Sequence, residues 1–173
     1  MMLAIFVCSS ITVKAQSTRD EVMARIKEAL TQPHQDWQCH ALTTPQGEPG
    51  PETPRGTKYQ FRCQQENFAI NVFIFYGETR ADAEKILANS QRFLQVNVSK
   101  EVEGIGEKGY ELVQDSNAWI TFRKGTVYCQ VNVGIRDASG TGGPVADKPF
   151  SPEAIGEAAR RFARLVVNQI SAT

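Results

Sequence analysis

The sequence predicts an α+β domain, a mainly antiparallel sheet of five or six strands packed by three helices, and three observations carry that prediction. First, Gly104–Gly134, GIGEKGYELVQDSNAWITFRKGTVYCQVNVG, has the period of two or three short strands. Ile120 and Phe122 alternate with Trp119, Thr121 and Arg123; past a turn at Arg123-Lys124-Gly125, Val127, Cys129, Val131 and Val133 alternate with Tyr128, Gln130 and Asn132. Second, Phe68–Tyr76, FAINVFIFY, is the most hydrophobic run outside the N-terminal segment and is predicted to be a central strand. Third, three separate stretches repeat apolar residues at helical spacing. Hairpins segregated by helices indicate α+β rather than alternating α/β architecture.

Taken in order, the chain opens on MMLAIFVCSSITVKAQS. An apolar stretch, Leu3–Val13, precedes Val13-Lys14-Ala15, with a small residue before a cleavage point at Gln16. This is the pattern of an export signal, so residues 1–15 are expected to be removed and 16–173 to form one domain. The stretch is too short and too rich in hydroxyls to be a stable membrane span, and no other apolar run reaches the ~20 residues a spanning helix needs. Thr18 and Glu21 have capping-box spacing, and Val22, Met23, Ile26, Ala29 and Leu30 form an apolar stripe, predicting a first helix from Thr18 to before Pro33.

A short strand from Trp37 to Leu42 follows. Thr43–Gly56, with four prolines and three glycines, reads as an exposed loop. Lys58, Gln60 and Arg62 alternate with Tyr59, Phe61 and Cys63 in the next strand. Within Phe68–Tyr76, Ile70, Val72 and Ile74 share one face while Asn71, Phe73 and Phe75 share the other, so both faces need cover. Thr79 is positioned to cap a second helix whose stripe is Ala83, Ile86, Leu87, Ser90, Phe93 and Leu94. After the Gly104–Gly134 stretch, Arg136–Pro149 reads as a second loop. Ser151-Pro152-Glu153 then opens the last helix, with the cap oxygen on serine and proline in the first turn, and Ile155, Ala158, Ala159, Phe162, Leu165 and Val166 as its apolar stripe.

Composition excludes some partners. Nineteen basic side chains balance nineteen acidic ones in 173 residues, so no net charge draws the chain to nucleic acid or anionic lipid. Arg160, Arg161 and Arg164 read as the solvated face of one helix. Without Cys8, which lies in the signal, Cys39, Cys63 and Cys129 remain; Cys39 and Cys63 lie in neighbouring strands and are expected to pair, leaving Cys129 as a small buried apolar residue.

The motifs that could carry chemistry resolve into simpler readings. Gly104-Ile105-Gly106-Glu107-Lys108-Gly109 satisfies the dinucleotide glycine pattern, but a helix precedes it and a strand follows, the reverse of what phosphate binding at a helix start requires; it is a turn. Gly140-Thr141-Gly142-Gly143 lacks the lysine and hydroxyl of a phosphate loop. His34 and His40 lie near Asp36 and Cys39, yet His40 and Cys39 point to opposite sides of one strand, and no metal is expected. Cys129 sits mid-strand in the apolar phase, where burial suppresses its reactivity, and no catalytic constellation or cofactor fingerprint emerges. Asn97-Val98-Ser99 matches the N-glycosylation triplet.

The candidate binding surface is one face of the sheet. If the helices all cover the other side, Asn71, Phe73, Phe75, Trp119, Thr121, Tyr128, Gln130 and Asn132 form a mixed aromatic and amide face for a small ligand or a protein partner. If one helix crosses over, Phe73 and Phe75 become core. The alternation assigns side chains to faces without saying which face each helix covers.

The run Val102–Tyr110, the strands from Trp119 to Val133 around an Arg-Lys-Gly turn, and the closing helix Ser151–Ile170 resemble small extracytoplasmic α+β domains of the sensor-domain and PsbP-like kind. The resemblance implies an exported binding, sensory or accessory domain and brings no catalytic motif. The expected function is therefore an exported, non-catalytic binding domain. One alternative is a hydrolase-type enzyme with a site between loops 43–56 and 136–149. Another is a structural protein that self-associates through Phe73 and Phe75.

Overall fold

The computed structural model describes residues 8–32, 37–42, 53–65, 68–95, 99–135 and 151–171. Three helices and seven strands follow the order α1 (Cys8–Thr31), β1 (Gln38–Leu42), β2 (Gly56–Gln65), β3 (Phe68–Gly77), α2 (Arg80–Gln95), β4 (Lys100–Glu101), β5 (Lys108–Val113), β6 (Asn117–Lys124), β7 (Val127–Ile135) and α3 (Pro152–Ser171). The strands form one sheet in the order β1-β2-β3-β7-β6-β5-β4, and every pairing is antiparallel. The fold class agrees with the sequence reading, but the strand count is seven rather than five or six. The extra strand is β4, whose two residues are too few to show any alternation.

The first helix also differs from expectation. Its backbone is helical from Cys8, so Thr18 lies inside the helix instead of capping it. Helical spacing in the Val22–Leu30 stripe is retained, with Val22, Met23, Ile26 and Leu30 buried. The loop segments 43–52 and 136–149, His34, Asp36, Asn97 and the glycine run 140–143 lie outside the described residues.

The second and third helices start where their caps direct. Thr79 Oγ1 accepts from Asp82 N at 3.2 Å, and Asp82 Oδ2 accepts from Thr79 N at 3.0 Å, a reciprocal capping box. Ser151 Oγ accepts from Ala154 N at 3.2 Å, with Pro152 in the first turn where its missing N–H costs nothing. The glycine pattern at 104–109 is a turn, as its context requires. Gly106 has φ 73°, and a Cβ there would lie 2.7 Å from Arg123 O, so this position needs glycine for both conformation and room.

Pairing register places the two faces. Ile70, Val72 and Ile74 on β3 oppose Val133, Val131 and Cys129 on β7, which oppose Ala118, Ile120 and Phe122 on β6. All nine are wholly buried, and α1 and α3 supply Ile26, Leu30, Ile155, Phe162 and Val166 to the same core. Trp37 packs edge-on against Phe162 at 5.2 Å and donates its indole N–H to Leu30 O at 3.3 Å. Cys39 and Cys63 face each other across β1 and β2 on this side and form a disulfide. Cys129 is free and buried.

The second face carries its own, smaller core. Phe75, Ala83, Leu87, Leu94, Tyr110, Leu112 and Tyr128 cluster there, with Phe73, Ile86 and Trp119 packed at the margin. The helix that covers them is α2, which lies on β3, β7 and β6. The chain thus forms a sheet with α1 and α3 on one side and α2 on the other.

Candidate functional site

One helix cannot cover a seven-stranded sheet, so α2 divides the second face into a covered part and an open part. Helix α2 begins close to the end of β3, where a Cβ on Gly77 would meet Ala83 N at 3.2 Å, and Leu94 near its far end joins Tyr110 and Leu112 on β5. Ion pairs fix its first turns. Arg123, almost wholly buried, donates to Glu107 at 2.6 Å and lies 3.8 Å from Glu84, while Arg80 lies 3.4 Å from Glu107. The hydrogen bond from Arg123, helped by the Gly125 N–H, holds the Glu107 carboxyl below its ordinary range.

Of the residues assigned to the candidate surface, Phe75 and Tyr128 lie beneath α2 and belong to the core. A self-association surface that uses Phe75 has no access to its side chain. The Tyr128 hydroxyl donates to Gln130 Oε1 at 3.0 Å and lies 2.6 Å from Ser90 Oγ. Having one proton, which goes to Gln130, Tyr128 must accept from Ser90. The Gln130 oxygen is thereby held inward, and its amide N–H groups remain for the open side. Burial pushes the Tyr128 phenol well above its ordinary value, so it stays a neutral donor.

The other candidates, Asn71, Phe73, Trp119, Gln130 and Asn132, are half-buried and lie beside one another. Register sets them in two rows across the strands. One row runs His40, Arg62, Asn71, Asn132, Trp119 over β1, β2, β3, β7 and β6; the next runs Leu42, Gln60, Phe73, Gln130, Thr121. His40 and Arg62 are exposed, while Cys39, next to His40, is buried on the opposite face and bridged. Thr121 is buried at the inner margin of the second row, and among the described residues its hydroxyl has no hydrogen-bond partner. Among the described residues no hydrogen bond engages the side chains of Asn71, Asn132 or Trp119. The sequence reading did not include Gln60, Arg62 and His40, although their alternation was visible, because only β1-β2-β3 pairing places them beside Asn71.

A second feature lies across the core. A cleft of about 280 Å³ between β5 and the start of α3 is lined by Lys100, Glu111, Val113, Pro152, Glu153, Gly156 and Arg160. Its most prominent polar groups already satisfy each other. Arg160 donates to Glu111 at 2.6 Å and to Glu157 at 3.0 Å, so it is an ion-paired residue and not part of a freely solvated stripe. Arg161 lies 4.7 Å over the Trp37 ring.

No family model, curated protein or solved structure matches this chain. The site therefore has to be interpreted from its own chemistry. Among the described residues no group of three or more His, Cys, Asp or Glu side chains is placed to hold a metal ion, and no helix is long and apolar enough to cross a membrane. Burial pushes the Cys129 thiol well above its ordinary value, which leaves it protonated and unreactive. What the open rows offer is recognition: aromatic surface, side-chain amides and a cationic end.

Proposed function

We propose that this chain is an exported, non-catalytic binding or accessory domain, and that its ligand surface is the part of the second sheet face left open by α2. The observation that carries the reading is the grouping of Asn71, Phe73, Trp119, Gln130 and Asn132, half-buried and side by side, on strands whose opposite face is wholly core. Such a surface is rigid, because each strand is fixed by the packing beneath it. Rigid polar groups lose little entropy when a ligand arrives. The Cys39–Cys63 bridge supports an oxidising compartment, in keeping with removal of residues 1–15 as an export signal and a single domain over 16–173. No nucleic-acid partner is part of this reading, and no cofactor is assigned.

A small-fragment library followed by two-dimensional NMR tests it without knowing the ligand. Shifts are expected to concentrate on the side-chain amides of Asn71, Gln130 and Asn132 and the Trp119 indole. Fragments that instead gather in the cleft lined by Lys100, Glu111 and Arg160 would move the site to the other side of the sheet and sink this assignment.

A further inference from the structure

The open rows have a chemistry narrower than binding in general. Resting on the assignment of that face as the ligand surface, we propose that it takes an acidic carbohydrate, a chain of sugar rings bearing carboxylates. Gln60, Asn71, Gln130 and Asn132 all belong to these two rows. A side-chain amide offers both a donor and an acceptor, which matches a hydroxyl that also does both. Phe73, between Gln60 and Gln130 in its row, and Trp119, beside Asn132, are half-buried and packed at the margin of the cluster that α2 covers. A partly exposed ring suits the C–H face of a sugar, which is flat and apolar while its edges are polar.

Charge selects among carbohydrates. The first row ends in Arg62 and His40, and neither row contains an aspartate or glutamate. An arginine fork fits a carboxylate with two hydrogen bonds, and here no carboxylate within the rows competes for it. Strand spacing puts Arg62 on β2 and Trp119 on β6 roughly 14 Å apart, three strand separations of ~4.8 Å. One small sugar cannot reach both, whereas a linear chain lying along the row can. The surface fits a protein partner less well. Leu42, at the outer end of the second row, is the one large apolar side chain that is exposed among the described residues, so beyond the half-buried Phe73 and Trp119 the rows offer a protein partner few apolar anchors.

Titration calorimetry of the full chain with polygalacturonate, with neutral dextran as comparison, tests the proposal. The wild type is expected to bind polygalacturonate, more weakly as salt is raised, and to leave dextran unbound. Arg62→Gln, at an exposed position, and Trp119→Ala should each weaken binding by about tenfold, and Trp119→Phe should retain most of it. Circular dichroism of each variant checks that it is folded. If folded wild type binds no polygalacturonate while fragments still shift Trp119 and Asn132, the carbohydrate class is overturned and the surface stands. Failure of both overturns both. Binding that survives Arg62→Gln and Trp119→Ala unchanged overturns the proposal as well, because it places the polymer elsewhere.

Discussion

The Tyr128 hydroxyl lies 2.6 Å from Ser90 Oγ, joining the middle of α2 to the sheet beneath it. The contact stands at the boundary of two regions, since Tyr128 is core while Gln130, its acceptor, opens onto the exposed rows. Each of Ser90→Ala and Tyr128→Phe should cost about 0.5–1.5 kcal/mol in urea unfolding. Because both changes break the same bond, the double variant should lose clearly less than the sum of the two. Strictly additive losses would show that the contact is not made.

Alkaline pH should expose the two buried acids beside it. Burial raises the Cys129 and Tyr128 pKa values above their ordinary 9.0 and 10.0. A folded-state pKa raised above the unfolded one gives stability that is complete below the unfolded pKa and is lost as pH rises beyond it. The melting temperature should therefore hold up to about pH 9 and fall above it. Cys129→Ala should be less stable at neutral pH but should delay the onset of the fall toward pH 10, where Tyr128 begins to contribute. An unchanged onset in that variant would mean that Cys129 is not buried in the folded state.

The disulfide holds one edge strand, β1, to the sheet. Replacing both partners in Cys39→Ala/Cys63→Ala should lower stability by about 3 kcal/mol, the loop-closure value for a separation of this size. Thiol labelling of unreduced, unfolded protein gives the second readout. A chain beginning at Gln16 should react once, at Cys129. Three reactive thiols would rule out the bridge and the exported compartment inferred from it.

Much of this arrangement could be read from the residues themselves. Period-two alternation placed Ile120, Phe122, Cys129 and Val131 on one face and Trp119, Tyr128, Gln130 and Asn132 on the other, and pairing register agrees with both sets. Local chemistry also placed the helix starts at Thr79 and Ser151, because a cap is a property of four neighbouring residues. Long-range facts were not legible. Phe73 and Phe75 are identical in kind and share a face, yet Phe75 is wholly buried and Phe73 only half. The difference is set by where α2 crosses, and no residue pattern within β3 encodes that path. Lys100 and Glu101 form a strand only because β5 offers a partner, and Arg62 joins Asn71 only through the pairing of β2 with β3.

The account depends most on where α2 lies, and nuclear Overhauser contacts from its side chains test this directly. The structure predicts contacts from Leu87 and Leu94 to members of the cluster formed by Phe75, Tyr110, Leu112 and Tyr128, and from Ser90 to Tyr128. Contacts from α2 to Ile70, Val72 or Val131 would put the helix on the other face and remove the partition on which the binding surface rests.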